Sequence, residues 1–290
     1  MKKQQKIMST YERKEREVFP MAYRMVFSDM DGTLLKSASE LSEKNIEMVG
    51  KAVDQGVEFV ICTGRGVYGV ERFLEKLNLL GRPGYVICQN GAAVYNLENM
   101  EMVLKHSFSS DDLRPVVEIA REEGVEVYLY DDRTFVAEKV TPQVEAYCRV
   151  MHADMRILPD GLEYEGYFTK CLLSGSYEQL DTVRKKVEPL IAGKLNHFFS
   201  GPQYLEFVKT GVSKGRALQE TAEKAGVPLA EVIAIGDSEN DLSMIQAAGL
   251  GVAVANAQEH VKAAADYVTE TTCEQDAVAD VLQRFVLGEK

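Results

Sequence analysis

The sequence predicts an α/β fold: a Rossmann-like, doubly wound parallel-sheet core interrupted by an inserted α+β domain. Three observations carry this expectation. Short apolar runs alternate with stretches of helical spacing from Arg24 to about Cys88, the signature of βαβ units. Between about Tyr95 and Tyr204 the strand-like runs alternate in polarity instead, as strands of mainly antiparallel sheets do. After Leu205 the first rhythm resumes. The 290 residues, at about 150 residues per domain, accommodate two such units.

Taken in order, residues 1–20 hold six basic and three acidic side chains and read as a mobile N-terminal extension. Met25-Val26-Phe27 is a short apolar run suited to a buried strand. Ser42 through Gln55 spaces Ile46, Val49, Ala52 and Val53 on one helical face, and Gly56 closes the helix. Val57–Cys62 forms a second strand, Val67–Leu80 a helix and Tyr85–Cys88 a third strand. Within the insert, strands are expected at Val125–Tyr130, Tyr167–Leu173 and Lys194–Phe199. Beyond it, Val232–Ile235 and Gly251–Val254 read as buried strands, with helices at Asp241–Ala248, Gln258–Ala265 and Gln275–Leu287. These assignments place the core at 21–93 and 205–290 and the insert at 94–204, with hinges near Ala92–Val94 and Tyr204–Val208.

Composition narrows the function. Hydrophobic residues make up 46% and charged residues 27%, enough apolar material to bury a core. A formal net charge of -12 disfavours nucleic acid and anionic membrane surfaces as partners. No apolar run approaches the ~20 residues that span a bilayer. Five scattered cysteines without C-x-x-C, and four dispersed histidines without H-E-x-x-H, fit a cytoplasmic protein rather than a disulfide or zinc framework.

Chemistry concentrates where two apolar strands end in carboxylates: Ser28-Asp29-Met30-Asp31-Gly32-Thr33 and Gly236-Asp237-Ser238-Glu239-Asn240-Asp241. In open α/β sheets ligands bind beyond the carboxyl ends of strands. If the two strands are neighbours, Asp29, Asp31, Asp237 and Asp241 crowd one crevice. Like charges there would raise each other's pKa unless a cation neutralised them. A set of hard oxygens without His or Cys calls for Mg2+. Singly, such residues are ordinary turn formers; the pair of clusters is less easily dismissed. Thr63-Gly64 follows the second strand directly, and Lys214 stands at the mouth of a helix, where its cation would balance a phosphoryl group. Taken alone, Thr63 reads equally well as a helix cap and Lys214 as a surface lysine.

In chain order, Asp29-Met30-Asp31-Gly32-Thr33, Thr63-Gly64-Arg65, Lys214 and Gly236-Asp237-Ser238-Glu239-Asn240-Asp241 resemble the four motifs of the haloacid dehalogenase-like (HAD) superfamily. An insert between the second and third motifs resembles the type 2 cap of its Cof-type sugar-phosphatase-like subfamily, and Asn90-Gly91-Ala92 and Gly211-Val212-Ser213-Lys214-Gly215 are similar to that subfamily as well. The resemblance runs from about Met25 to the C-terminus and leaves the N-terminal extension unexplained. It implies a Mg2+-dependent phosphatase acting on small phosphate monoesters, sugar phosphates or phosphorylated cofactors, through an aspartyl-phosphate. Asp29 would be the nucleophile and Asp31 the general acid and base. The metal would lie on the Asp29 carboxylate, the Asp31 main-chain carbonyl and Asp237. The Met30 amide, Thr63, Gly64, Lys214 and Asn240 would hold the phosphoryl oxygens, with Asp241 in support.

Two alternatives stay open. A sugar phosphomutase would use the same aspartate pair. More distantly, Gly64-Arg65-Gly66-Val67-Tyr68-Gly69 matches a dinucleotide fingerprint, although the acid expected at the end of the next strand is replaced by Gln89-Asn90. The turns Glu163-Tyr164-Glu165-Gly166 and Phe199-Ser200-Gly201-Pro202 either face the crevice or are plain surface loops.

Overall fold

Each residue of β1 (Met25–Ser28) is buried, and the side chains alternate between two cores. Val26 packs with Met48, Val49 and Ala52 of α1 (Glu43–Asp54). Met25 and Phe27 pack on the other face with Ala217, Leu218 and Met244. A strand covered on both faces is the mark of a parallel α/β sheet. The computed structural model describes residues 23–37, 40–131, 134–151, 155–157 and 166–288; the N-terminal extension and the turn residues Glu163–Glu165 lie outside them.

The first sheet continues with β2 (Glu58–Cys62), β3 (Tyr85–Cys88), β4 (Ala93–Asn96) and β5 (Met102–Lys105). α2 (Glu71–Lys76) lies between β2 and β3, shorter than expected: a three-residue 3-10 turn, Val67–Gly69, precedes it and Asn78 at φ 54° follows. The chain next enters a second unit, built from β6 (Phe108–Ser109), α3 (Ser110–Glu122), β7 (Glu126–Tyr130), β8 (Phe135–Ala137), α4 (Pro142–Met151), β9 (Met155–Ile157), β10 (Tyr167–Phe168), β11 (Lys170–Ser174), α5 (Tyr177–Ile191), β12 (Leu195–Gly201) and β13 (Tyr204–Lys209); β6 and β10 pair by themselves, and the other six strands make the second sheet. The strand expected over Tyr167–Leu173 is broken at Thr169, whose hydroxyl bonds the Tyr130 carbonyl; β10 pairs with β6, and β11 with β7 and β13. The chain returns to the first sheet with α6 (Lys214–Ala225), β14 (Val232–Gly236), α7 (Leu242–Ala247), β15 (Leu250–Ala253), α8 (Glu259–Ala264), β16 (Tyr267–Val268) and α9 (Ala277–Leu282).

The eight-stranded sheet runs β16-β15-β14-β1-β2-β3-β4-β5. It is parallel from β16 to β3 and antiparallel through β4 and β5. The six-stranded sheet runs β12-β13-β11-β7-β8-β9 and is antiparallel except where β8 meets β9. One of its faces packs on α3 and α5; the other carries Tyr128, Tyr130, Phe135 and Leu172 with Tyr147 of α4 and Tyr68 of the first unit.

The sheets do not change over at residues 94 and 204, where the sequence reading put the boundaries. Gly91, at φ 99°, helps turn the chain back so that β4 lies antiparallel on β3. The first sheet therefore extends to Lys105. At the other end β13 stays paired with β12 as far as Lys209. The two crossings lie at residues 106–107 and 210–213, and the Ala92–Val94 and Tyr204–Val208 segments expected to be hinges are buried strand or strand-adjacent residues.

Candidate active site

β1 and β14 are hydrogen-bonded neighbours, with Ser28 opposite Ile235. From β1 the chain steps to β2 on one side and later returns to β14 on the other, a topological switch point whose crevice opens beyond the strand ends. Asp29 leaves β1 there and its amide donates to the Ile235 carbonyl at 2.9 Å. Gly32 turns the chain at φ 80°, and a Cβ on it would lie 2.8 Å from Asp237 Oδ2. The close approach lets Thr33 Oγ1 donate to Asp237 Oδ1 at 3.0 Å, while Ser238 Oγ donates to Asp237 Oδ2 at 2.9 Å.

Lys214 is wholly buried at the start of α6, reaching Asp29 Oδ1 at 2.5 Å and Asp241 Oδ1 at 2.6 Å. Asp241 Oδ2 accepts the amides of Asp237 and Ser238, both at 3.0 Å. Gly236 makes room for it, since a Cβ there would strike the Asp241 carboxylate. Burial raises the Asp29 pKa well above the ordinary carboxylate range; Lys214 opposes that rise, while Asp241 and Asp237 add to it. Asp237 is raised too, first by burial and then by Asp241. For Lys214, burial alone would favour the neutral amine, but Asp241 and Asp29 reverse this and keep the ammonium charged.

The charge balance tests the site for a cation. Asp29, Asp237 and Asp241 each present an oxygen, all within 4.8 Å of one another, and Lys214 offsets one of three negative charges. Asp241 is wholly buried, with its oxygens on the Lys214 ammonium and two backbone amides, whereas the less buried Asp237 takes two hydroxyl donors. A hard divalent cation on carboxylate oxygens fits this set. The Asp31 side chain is turned elsewhere: Arg65 Nε donates to its Oδ2 at 2.8 Å and Nη2 to its Oδ1 at 2.5 Å.

The remaining expected residues converge here. Thr63, Gly64, Lys214 and Asn240 line a cleft of about 760 Å3 with Asp29 and Asp31. Thr63 Oγ1 also accepts the Arg65 amide at 3.1 Å, a contact within the turn and not a helix cap, since the 3-10 turn that follows has Gly66 at its N-cap. Met30 is buried in the core, which leaves only its amide for a ligand. The opposite wall belongs to the second sheet and α4: Tyr147, Leu172, Phe198, Phe199, Ser200 and Tyr204. Phe198, opposite Glu206, and Ser200 thus face the crevice, while Phe199, opposite Leu205, packs its ring against Tyr177 of α5 on the other face of the sheet.

Four residues absent from the expected site stand in it. Arg65 clamps Asp31. Lys170 Nζ, buried on β11, donates to the Gly64 carbonyl at 3.2 Å and lies 3.4 Å from Glu206 Oε2. Asn90 Nδ2 donates to Glu206 Oε2 at 3.3 Å, and Asn240 Nδ2 donates to Asn90 Oδ1 at 3.0 Å. The available signal was a Lys and a Glu inside otherwise apolar strands. The dinucleotide fingerprint fails on geometry: the residues after Gly66 make a 3-10 turn, no long helix begins there, and the Gly64 carbonyl is engaged by Lys170.

Comparison with known proteins agrees with this arrangement. A family model described as haloacid dehalogenase-like hydrolase matches residues 26–282. YxeH of Bacillus subtilis, which bears a provisional phosphatase name, is 32% identical over 92% of this chain and 99% of its own. The 5-amino-6-(5-phospho-D-ribitylamino)uracil phosphatase YcsE of the same organism is 31% identical over 91% and 96%. A solved haloacid dehalogenase-like hydrolase from Bacteroides thetaiotaomicron superposes with a TM-score of 0.84 at 35% identity, covering 90% of this chain and 99% of that one.

Proposed function

The chain belongs to the haloacid dehalogenase-like hydrolases of the Cof type and is a phosphatase, and from that premise we propose that it is a Mg2+-dependent phosphatase of small phosphate monoesters working through an aspartyl-phosphate. The observation that carries the reading is Asp29, buried at the end of β1 and joined through Lys214 to Asp241. An Asp29 oxygen attacks phosphorus; the P–O bond to the leaving group breaks as a P–O bond to Asp29 forms. Asp31 gives the departing oxygen its proton and then takes one from the water that cleaves the acyl phosphate. Lys214, Asn240, Thr63, Gly64 and the Met30 amide hold the phosphoryl oxygens, where positioning and fixed positive charge supply most of the catalysis. Mg2+, on Asp29, Asp237 and the Asp31 carbonyl, would offset the buried negative charge and that of the phosphoryl group.

We propose residues 108–209 as the cap that covers this site. The aromatic wall formed by Tyr147, Phe198 and Tyr204 suits a leaving group with a flat or apolar face, as in the named substrate of YcsE. No helix among the described residues is long and apolar enough to cross a membrane; the cytoplasmic reading rests on five cysteines scattered singly along the sequence.

The test is phosphate release from a panel of sugar phosphates and phosphorylated cofactors, with and without Mg2+, for the wild type and Asp29→Asn. Turnover that needs Mg2+ and vanishes in the variant is expected. Turnover surviving in Asp29→Asn would overturn the mechanism. Exchange of a phosphoryl group between sugar hydroxyls without net release would make the protein a mutase.

A further inference from the structure

A line of polar contacts crosses between the two units: Lys170 to Glu206, Glu206 to Asn90, Asn90 to Asn240. Lys170 and Glu206 are both buried, on the neighbouring strands β11 and β13 of the second sheet. Asn90 follows β3, and Asn240 follows β14. We infer that Lys170, Glu206 and Asn90 are positioning residues that fix which end of the Asn240 carboxamide faces the phosphoryl group. The inference rests on reading the site as a phosphoryl-transfer centre.

The two ends of a carboxamide have almost the same shape and opposite hydrogen-bonding character, so its orientation is set by its partners. Glu206, beside the Lys170 ammonium, offers acceptor oxygens. Asn90 must therefore turn its NH2 toward Glu206, as observed, and its oxygen the other way. That oxygen receives one N–H of Asn240. Anchored so, Asn240 keeps its second N–H for a ligand oxygen in the cleft, where a reversed carboxamide would set its carbonyl against a negatively charged phosphoryl group.

Asn90 is placed with unusual precision for this task. It has φ 57°, between Gln89 at 53° and Gly91 at 99°, a conformation that persists only where the surroundings over-determine it. Its amide donates to the Thr63 carbonyl at 2.9 Å. Gly64 comes so close that a Cβ would stand 3.1 Å from Asn90 Oδ1. Lys170 also holds the Gly64 carbonyl, so one ammonium from the second unit orders two parts of the cradle. When that unit lifts away, both contacts must break, and the donor orientation of Asn240 goes with them.

The test compares wild type with Glu206→Gln, Lys170→Met and Asn90→Gly, glycine being the residue that tolerates the φ of Asn90. Thermal unfolding, phosphate-ester kinetics and the side-chain amide NMR resonances of Asn90 and Asn240 are read together. Glu206→Gln preserves shape and lets the Asn90 carboxamide reverse. It should lower kcat/KM about 10- to 100-fold, the size of one lost hydrogen bond to a charged group. The Asn240 resonances should move; the melting temperature should fall as well, because the buried Lys170 loses its counter-charge, so kinetics and spectra are compared at a temperature where both proteins are folded. Glu206→Gln combined with Asn90→Gly should be no worse than the worse single variant, because both cut one line of contacts. Glu206→Gln with wild-type kcat/KM and unmoved Asn240 resonances would overturn the inference, as would losses that multiply in the double variant. Should the wild type release no phosphate while the Asn240 resonances still move in Glu206→Gln, the relay stands and the phosphatase reading fails.

Discussion

The two sheets carry their charged residues in opposite ways. In the first, the polar side chains of the site stand just past strand ends: Asp29 after β1, Thr63 after β2, Asp237 after β14. The strands themselves are apolar and buried, and the chemistry is displaced onto the loops. In the second, Lys170 and Glu206 sit inside strands and reach the site from a sheet face, flanked by Cys171 and Leu172 or by Leu205 and Phe207. A chemical centre that needs several charges at one point is economically built from strand ends that converge. A wall that shapes the leaving group is built from a face. The difference predicts how each region responds to substitution: changes at strand ends should remove turnover, and changes on the second sheet should tune it.

The largest effect is expected at Asp29. Replacing it by Asn removes the nucleophile at nearly constant volume and should lower kcat by about 10^4-fold or more, measured as phosphate release under saturating substrate. Lys214→Met comes next. It leaves Asp29 and Asp241 buried without their shared cation, which should cost about 3–5 kcal/mol in denaturant unfolding. The same substitution at Lys44, exposed and paired to Asp280, should cost less than about 1 kcal/mol. Equal losses at the two lysines would remove the distinction between a built centre and a surface pair.

Phe198→Ala, on the second-sheet wall, should alter KM and the ranking of substrates by about tenfold while leaving kcat for the smallest phosphate esters within about twofold of wild type. A collapse of kcat for every substrate would place Phe198 in the chemistry and break the comparison. The smallest effect concerns Asp112 in α3. Its pKa is lowered, first by Lys194 and, against the opposing effect of burial, by Ser109. A carboxylate depressed on folding stabilises the protein above its unfolded pKa, and that contribution is lost as pH falls through the lower folded value. Asp112→Asn should therefore cost a few tenths of a kcal/mol at pH 7, with the gap from wild type closing at acid pH.

These contrasts also explain what could be read from the chain alone. Asp29, Asp31, Asp237 and Asp241 were legible because each cluster is contiguous and follows an apolar run, so strand and loop announce each other. The family resemblance placed Lys214 at the phosphoryl group, but its pairing with Asp29, 185 residues away, went unread. Lys170 and Glu206 went unseen because a lone charge within a strand looks like a solvated face until its neighbours are known. Asn90 was noticed as part of a motif but not as a contact, its backbone conformation being invisible in sequence. The limits of the insert were misplaced for a related reason. β4 and β5 are antiparallel additions to a parallel sheet, and their polarity pattern resembles that of the strands that follow.

Acid-quenched Asp31→Asn offers the most direct measurement. Without its general base, hydrolysis of the acyl phosphate should slow more than its formation when the substrate has a good leaving group such as 4-nitrophenolate. Mass spectrometry of the digested protein should then find one phosphoryl group, on the peptide containing Asp29. A phosphoryl group on another residue, or wild-type turnover by this variant, would contradict the assignment of Asp29 as nucleophile and Asp31 as its acid and base.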